Sequence, residues 1–340
     1  MRIAVVGATG AVGREMLRVL AERSFPADQV VALATERSEG RRVPFAGSDL
    51  VVAANVPGAL EGVDLALWSA GGGPARELVP AAVEAGTICV DNSSAFRMAD
   101  GVPLVIPEIN AGALAGDPRL VANPNCTAIT ALMPLAPLHR AFGVRELVVS
   151  SYQSVSGTGT KGVRELAEQV EKLRGQEESL GRPDLASLPV GEVFGRTIAF
   201  NVVPRVDVFR EDGFTVEERK VADETRKILD LPDLPVLATC VRVPVMVGHG
   251  VSVLARFERD ASPDEARELL GAAAGVRVVD DPAADAFPTP LESAGIDDVL
   301  VGRIRRPEGD PRSLLYFAAA DNLRKGAALN AVQIAEHLVR

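Results

Sequence analysis

Cysteine and histidine are scarce in this sequence, with three of each among 340 residues. The cysteines stand far apart, at positions 89, 126 and 240, and no CxxC or Cys/His spacing occurs. This excludes a disulfide framework and gives no support to a zinc site, so we expect no metal. Long apolar runs are also missing, since none approaches the roughly 18 residues that cross a bilayer. Because the chain opens on a predicted strand rather than a leader, we expect a cytoplasmic protein without a membrane partner.

An excess of positive charge is absent as well. The 36 basic side chains are outnumbered by 46 acidic ones, which gives a formal net charge of −10. No run of five or six like charges stands out, so nucleic acid is not expected as a partner. Hydrophobic residues at 47% and charged residues at 24% are typical of a folded globular protein. The length favours two domains.

The first 127 residues alternate apolar strands with helices. Their opening segment, RIAVVGATGAVGREMLRVLAER, predicts a strand, a glycine turn and a helix. Further strands are predicted in QVVALAT, DLALWSA, TICVDNS and LVIP, with a helix in PARELVPAAVEAG. Alternation of this kind indicates an α/β fold with a Rossmann-like, doubly wound parallel sheet.

The pattern changes after residue 127. Helices are predicted at 161–174 and 215–230, among strands in ELVVSSYQSVSG, TIAFNVVPRVDVF, ATCVRVPVMVGHGVSVLARFER, VRVVDD and SLLYFAAAD. This order predicts a second, α+β domain with a mixed sheet and helices on one face. The last segment, DNLRKGAALNAVQIAEHLVR, predicts a helix that returns to the first domain. We therefore expect a nucleotide-binding domain at 1–127 plus 322–340 and a second domain at 128–321.

A glycine-rich turn links the first strand to the first helix. In VVGATGAVG the spacing is GxxGxxG, a variant of the usual dinucleotide fingerprint. Missing side chains there let backbone N–H groups and the helix N-terminus approach a pyrophosphate, which favours cofactor binding over a plain tight turn. The residues expected at the cofactor are Gly7, Thr9, Gly10, Ala11, Val12 and Gly13.

The end of the second strand, ATERSEGRR, bears on the choice of cofactor. Glu36 would favour a free ribose 2′-hydroxyl, whereas Arg37 and Ser38 would favour a 2′-phosphate through charge-assisted hydrogen bonds. Arg41 and Arg42 follow closely. We expect NADP, the alternative being a solvated loop of mixed charge.

Cys126, in ANPNCTAI, is the candidate nucleophile. Asn125 is suited to cap a helix that starts here, which places the thiol in the first turn, where amide dipoles favour a thiolate. Cys89 and Cys240 lie inside apolar strands and are expected to be inert.

A nucleophilic thiol needs a proton acceptor nearby. His249 lies between two glycines in VGHGVS, which would let its ring reach a cleft, so it is the candidate acid/base. His139 and His337 fall late in predicted helices, where a surface position is expected.

Six motifs in this order closely resemble the bacterial-type aspartate-β-semialdehyde dehydrogenase family: GATGAVG, SSAFR, NPNCTA, SYQSVSGTG, ERKVADET and RVPVMVGH. The likeness covers essentially the whole chain. It implies reversible, NADPH-dependent reductive dephosphorylation of β-aspartyl phosphate to aspartate β-semialdehyde, on the route to lysine (through diaminopimelate), threonine, methionine and isoleucine. It also implies a catalytic and dimerisation role for the second domain, in a homodimer or a dimer of dimers.

The resemblance assigns roles to individual residues. It implies that Cys126 attacks the acyl carbon to form a thioester and that His249 moves the proton. Gln153 of SYQS would orient the acyl intermediate. Arg242 would clamp the substrate α-carboxylate with its planar fork, and Glu217 would meet the α-amino group.

The same resemblance implies residues for the phosphoryl group and the nicotinamide. Lys220 and Arg97 would hold the phosphoryl group, and Asn125 would add a contact to phosphate or the acyl oxygen. The residues implied at the nicotinamide end are Ser156, Gly157 and Asn322.

Two positions depart from the family pattern, Gly250 where a serine is expected after the histidine and Arg219 where an aromatic residue is expected. Two alternative functions also stay open. One is another cysteine-dependent acyl-phosphate reductase, such as the N-acetyl-γ-glutamyl-phosphate type, although Glu217 together with Arg242 suits a free α-amino acid. The other is a catalytically idle NADP-binding scaffold.

Overall fold

The structure is a computed structural model that describes residues 1–339, except for the side chain of Glu177, and contains two six-stranded sheets. In the first part of the chain the strands are β1 (Arg2–Val6), β2 (Gln29–Ala34), β3 (Arg42–Phe45), β4 (Ser48–Val51), β5 (Ala53–Ala54), β6 (Leu65–Trp68), β7 (Ile88–Asp91) and β8 (Leu120–Ala122). The helices of this part are α1 (Ala11–Glu22), α2 (Gly72–Glu84) and α3 (Pro107–Asn110).

The first sheet is parallel throughout, in the order β5-β2-β1-β6-β7-β8, while β3 and β4 form a separate hairpin. Its central strands are fully buried, because each face carries a hydrophobic cluster. In such a sheet, ligands bind beyond the carboxyl ends of the strands. The glycine turn after β1 and the segment after β7 both lie at that edge.

The second part of the chain builds a mixed sheet. Its elements are α4 (Cys126–Phe142), β9 (Val144–Gln153), α5 (Thr160–Leu173), α6 (Val216–Leu229), β10 (Val236–Arg242), β11 (His249–Phe257), α7 (Pro263–Gly271), β12 (Val276–Val278), α8 (Pro290–Ser293), β13 (Val299–Arg305), β14 (Ser313–Ala320) and α9 (Leu329–Leu338). The strand order is β10-β9-β11-β14-β13-β12, with parallel pairs at the two edges and antiparallel pairs between them.

Helix α4 is the centre of the second core. Twelve of its 17 residues are buried, and side chains such as Leu132 and Leu135 share a cluster with Val251 and Val253 of β11. An apolar helix of this kind is stable only when it is enclosed on most sides. Its buried position fixes its N-terminus, and therefore Cys126, relative to both sheets.

The C-terminal helix packs on the first domain. Val332 and Ile334 of α9 share a hydrophobic cluster with Met16 and Leu20 of α1. The predicted fold class is confirmed by this return, by the parallel first sheet and by the mixed second sheet. Arg340, at the end of the predicted nucleotide-binding domain, lies outside the described residues.

Two strand predictions were wrong. TIAFNVVPRVDVF forms no strand and makes only isolated bridges, from Val203 to Arg242 and from Phe209 to Thr215. Within it, Phe200 and Asp207 have positive φ values of 58° and 69°. Those backbone angles cannot continue an extended ladder. In LVIP, only Leu104 makes a bridge, to Ala122. Among residues 1–339, no helix combines the length and apolar character that a bilayer crossing demands.

Candidate active site

A cavity of about 710 Å³ lies at the carboxyl edge of the first sheet, where the second domain meets it. Most of the predicted site residues line it. They are Gly10, Ala11, Val12, Gly13, Arg97, Asn125, Cys126, Gln153, Ser156, Gly157, Glu217, Lys220, Arg242 and Asn322. The structure therefore brings together residues that are as many as 312 positions apart in the chain, from Gly10 to Asn322.

Cys126 is the first residue of α4, as the sequence predicts. The Asn125 side chain caps the helix, since its Oδ1 accepts hydrogen bonds from the backbone nitrogens of Thr127 at 2.8 Å and Ala128 at 3.2 Å. On the opposite side, a Cβ atom at Gly326 would lie only 3.0 Å from the Cβ of Cys126. A glycine at 326 is what leaves room for the thiol.

The expected preference for a thiolate is wrong for the free site. Burial raises the pKa of Cys126 to about 11, and the Glu217 carboxylate adds to the rise. Arg97, Arg242 and the Thr127 N–H oppose it without cancelling it. Desolvation therefore outweighs the helix N-terminus, and Cys126 is a thiol at neutral pH. Cys89 and Cys240 are buried in β7 and β10, and burial raises the pKa of each to about 12.

His249 begins β11 and is fully buried. Its Nδ1 accepts a hydrogen bond from the backbone nitrogen of Ser154 at 3.0 Å, so the proton of the neutral ring is on Nε2. Nε2 has no hydrogen-bond partner within residues 1–339. Burial, followed by the charge of Arg242, lowers the pKa of His249 to about 3. The ring is thus neutral and offers one donor.

Gly157 separates the cavity from that ring. A Cβ atom at this position would lie 2.8 Å from Nη1 of Arg242 and 3.5 Å from Nε2 of His249. Because the side chain is missing, both groups stay next to the cavity, although His249 does not itself line it.

Asn322 links the predicted nicotinamide end to the histidine. Its Oδ1 accepts from the Gly248 backbone at 2.9 Å and from the hydroxyls of Ser154 at 3.0 Å and Ser156 at 3.2 Å. Ser154 was not predicted as a site residue, although it lies within the motif SYQSVSGTG. Motif matching alone does not show which neighbour of Gln153 holds the imidazole.

Glu217 and Arg242 provide opposite charges in one wall of the cavity. Oε1 of Glu217 accepts hydrogen bonds from Nδ2 of Asn125 at 2.9 Å and from Nε2 of Gln153 at 3.3 Å. Nη1 of Arg242 donates to the Ser154 carbonyl at 2.6 Å, and its guanidinium is buried. A carboxylate and a planar guanidinium fixed in this way suit the two charges of an α-amino acid.

Lys220 and Arg97 add positive charge to the lining of the cavity. Nζ of Lys220 lies 2.8 Å from Oδ2 of Asp207 and 3.5 Å from Oε2 of Glu217. Arg97 is held by the carbonyls of Asn92 and Asn123 and by Glu224. Asp207 and Glu224 were not predicted as site residues; Glu224 lies inside the motif ERKVADET, which is the one available signal.

The glycine turn fits a dinucleotide. Gly7 has a φ of 89°, and a Cβ on Gly13 would lie 2.1 Å from the Gly7 carbonyl oxygen, so neither position tolerates a side chain. Thr9 lies behind the turn, with its Oγ1 3.5 Å from Oγ of Ser38. Ser38 is buried in the 3₁₀ turn Glu36–Ser38, whereas Arg37 is exposed. Among the side chains of residues 1–176 and 178–339, no group of three or more His, Cys, Asp or Glu could hold a metal ion.

Comparison with known proteins identifies the family. Residues 2–116 match the model "Semialdehyde dehydrogenase, NAD binding domain" and residues 135–325 match "Semialdehyde dehydrogenase, dimerisation domain". A Bacillus subtilis aspartate-semialdehyde dehydrogenase is 44% identical over 340 residues, covering 99% of this chain and 97% of the relative. The chain belongs to the aspartate-semialdehyde dehydrogenase family.

Two further aspartate-semialdehyde dehydrogenases are also similar to this chain over its whole length. The Aquifex aeolicus enzyme is 45% identical and spans 100% of this chain and 98% of its own. The Vibrio cholerae aspartate semialdehyde dehydrogenase II, solved in complex with ASA, superposes with a TM-score of 0.93 at 40% identity, covering 100% of this chain and 98% of that one. These matches confirm the family membership that the six motifs indicate.

Proposed function

We propose that this protein catalyses the reversible, NADPH-dependent reductive dephosphorylation of β-aspartyl phosphate to aspartate β-semialdehyde, in the biosynthesis of amino acids derived from aspartate. One observation carries the proposal. A cysteine at a helix N-terminus shares a single cavity with the glycine turn and with the fixed pair Glu217 and Arg242. An idle scaffold would have no need of this combination.

Cys126 is the proposed nucleophile. Its Sγ forms a bond to the acyl carbon, the bond from that carbon to the phosphate oxygen breaks, and the thiol proton leaves with the phosphate. The product is a thioester on Cys126, which divides one difficult displacement into two easier steps. Because the free thiol is protonated, the positive charges of Arg97 and Arg242 favour the anion as the bond forms.

Gln153 and His249 are the proposed partners of the acyl group. The Gln153 amide, fixed by Ser151 and Glu217, would orient the acyl intermediate. His249 holds its proton on Nε2, and we propose that this N–H donates a hydrogen bond to the oxyanion that forms when the acyl group is reduced. A neutral donor aimed at a developing oxyanion stabilises it without any change in ring charge.

Arg242 and Glu217 are the proposed ligands of the α-carboxylate and the α-amino group. Lys220, Arg97 and Asn125 are proposed to bind the phosphoryl group. An acyl-phosphate reductase whose substrate lacks a free amino group would leave Glu217 without a cationic partner from the substrate. The geometry therefore supports an aspartate derivative over the N-acetyl-γ-glutamyl type.

NADP is the proposed cofactor, and when bound it supplies or accepts the hydride. The residues that would hold it are Gly7, Thr9, Gly10, Ala11, Val12, Gly13, Arg37, Ser38, Ser156, Gly157 and Asn322. The glycine turn matches a pyrophosphate, and Arg37 with Ser38 provides donors for a 2′-phosphate. An aspartate semialdehyde dehydrogenase of Candida albicans has been solved with NADP; at 22% identity and a TM-score of 0.74 it shares the fold.

A homodimer is the proposed assembly. The face of the second sheet opposite α4 exposes apolar side chains, among them Leu237 at 51% and Tyr152 at 39%. Tyr152 lies against Phe317 on the same face, with ring centroids 6.1 Å apart. A second copy of this chain would cover them, in line with the dimerisation-domain match over residues 135–325. We propose the domain limits 1–127 plus 322–340 and 128–321.

A spectrophotometric assay of the reverse reaction tests the function. Protein mixed with aspartate semialdehyde, phosphate and NADP should produce reduced cofactor, and NAD should perform far worse. Cys126→Ala should lower the rate at least a thousandfold or so. Cys89→Ala is the matched control, because it removes a buried thiol outside the cavity and should leave the rate unchanged. An active Cys126→Ala variant would refute the thioester route.

A further inference from the structure

Glu224 is a buried carboxylate for which the proposed chemistry has no role. Its residue is 1% exposed, and it does not line the cavity. One oxygen, Oε1, accepts from Nη1 of Arg97 at 2.9 Å. The other, Oε2, accepts from the backbone nitrogen of Asn125 at 2.6 Å. Glu224 therefore contacts a proposed phosphate ligand and the residue before the nucleophile, but it cannot reach the substrate.

The surface of α6 that carries Glu224 continues this contact. Residues 217, 220, 224 and 227 recur at helical spacing and therefore share one side of α6. Nζ of Lys227 donates to the carbonyls of Arg97 at 2.7 Å, Ala99 at 3.2 Å and Val102 at 2.9 Å. A helix of the second domain thus holds the segment of the first domain that contains Arg97.

The hydrogen bonds of Arg97 show what this attachment achieves. A guanidinium has five N–H donors. Three are used, by the Asn123 carbonyl at 2.9 Å, Glu224 at 2.9 Å and the Asn92 carbonyl at 2.8 Å. The remaining two N–H groups, one on Nη1 and one on Nη2, are left for a phosphate. Glu224 holds Nη1, so it helps to set the direction in which these donors point.

We propose that Glu224 is a positioning residue that orients both Arg97 and the Asn125 backbone. It thereby keeps the phosphate site and the N-terminus of α4 in a fixed position relative to each other. The inference rests on the proposed function, because it assigns phosphate to Arg97. Burial raises the pKa of Glu224 and the Arg97 charge opposes this rise, as for a carboxylate that depends on its cation. Without Glu224, Arg97 would keep its two carbonyl contacts but lose the one that holds Nη1.

The test is Glu224→Gln, which keeps the shape of the side chain. Its amide has only one acceptor oxygen, so its NH₂ group would face either Arg97 or the Asn125 backbone N–H, which are both donors. In the reverse assay, we expect the KM for phosphate to rise about tenfold or more. The KM for aspartate semialdehyde should stay within about twofold, because Arg242 and Glu217 are untouched. Activity of the wild-type protein tests the proposed function separately, so the two failures are distinguishable.

Glu218→Gln is the matched control. Glu218 lies on the same helix, is also buried, and accepts from the backbone nitrogens of Thr215 at 2.7 Å and Cys240 at 3.0 Å. It has no contact with Arg97. We expect this variant to lower the thermal midpoint as Glu224→Gln does, while both KM values remain close to wild type.

Two outcomes would overturn the inference. One is a Glu224→Gln variant that loses thermal stability but keeps the wild-type KM for phosphate; the other is an equal rise in both KM values. If Glu224→Gln does not fold, Glu224→Asp decides, since it keeps the charge and withdraws the carboxylate by one methylene. A selective rise in the phosphate KM in that variant supports the role, and an unchanged value refutes it.

Discussion

The backbone N–H of Ser154 donates to Nδ1 of His249 across 3.0 Å, and this bond fixes the tautomer of the histidine. The unpartnered Nε2 then carries the proton next to the cavity. The same serine binds Asn322 through its hydroxyl. The orientation of the imidazole is therefore set from the end of the site where we propose that the nicotinamide binds.

His249 should support turnover without titrating in the neutral range. Burial lowers its pKa to about 3, so the ring stays neutral at all higher pH values. We expect His249→Gln to lower kcat about a hundredfold or more while the KM for phosphate changes little. The pH profile of wild-type kcat/KM should lack an inflection near the ordinary histidine pKa of about 6.5. An inflection there that disappears in His249→Gln would contradict a permanently neutral ring.

Cys126 should react slowly in the free protein. Because burial and then Glu217 raise its pKa to about 11, little thiolate exists at neutral pH. We expect alkylation by iodoacetamide to be slower than that of free cysteine, whose pKa is about 8.5, and to accelerate as the pH rises. Glu217→Gln removes the nearby negative charge, so the midpoint of the rate against pH should move downward. Cys126→Ala shows which fraction of labelling belongs to this thiol, and an unchanged midpoint would contradict the electrostatic account.

Arg37 should determine the preference for NADP. It is exposed beside the buried Ser38, at the end of β2. We expect Arg37→Ala to raise the KM for NADP about tenfold, because a charge-assisted hydrogen bond to the 2′-phosphate is lost, and to leave the KM for NAD unchanged. Arg41→Ala, four residues further along, is the control and should have a smaller effect. Equal losses with both cofactors would assign Arg37 to another part of the dinucleotide.

Arg324 should stabilise the junction of the two domains. Its guanidinium contacts Glu15 at 2.8 Å and Glu22 at 2.7 Å on α1, as well as Asp297 of the second domain. We expect Arg324→Met to lower the thermal midpoint by a few degrees at pH 7. Arg18→Met is the control, since Arg18 also pairs with Glu15 and Glu22 but is 56% exposed, where ion pairs contribute little.

The contribution of Arg324 to thermal stability should depend on pH. Hydrogen bonds from Arg324 and then Arg18 hold the pKa of Glu22 below its ordinary value. A depressed carboxyl pKa adds stability above the ordinary value of about 4.3, and the gain is lost as the pH falls through the folded-state pKa. The difference in midpoint between wild type and Arg324→Met should therefore be full at neutral pH and shrink below about pH 4. If the difference in midpoint between the two proteins did not change with pH, the ion pairs of Arg324 could not be its origin.

The sequence predicted local structure correctly in segments where the pattern of neighbouring residues indicates one structure. The glycine turn, the cap at Asn125 and the return of α9 could all be predicted because each follows from neighbouring residues. TIAFNVVPRVDVF misled because its Val and Phe residues favour a strand. Asp207 instead adopts a φ of 69° and forms an ion pair with Lys220, which lies 13 residues further along the chain. Strand propensity takes no account of such a contact.

The site was predictable as a set of residues but not as an arrangement. Motif matching named Cys126 and Glu217 separately. It could not show that Glu217 binds Asn125, nor that burial would raise the pKa of Cys126 against the helix dipole. Such effects depend on desolvation and on contacts between α4 and α6, which are known only after the domains have assembled.

Gly326, on the π-helical turn Arg324–Ala328, packs against Cys126, the proposed nucleophile. Its neighbour Lys325 donates to Glu108 at 2.7 Å, and Asn322 reaches Ser156. Gly326 follows Cys126 by 200 residues in the chain, so the space around the thiol is enclosed only after two distant segments have met. A nonsense codon between those of Cys126 and Asp321 would therefore yield a polypeptide with the thiol present but its enclosure missing.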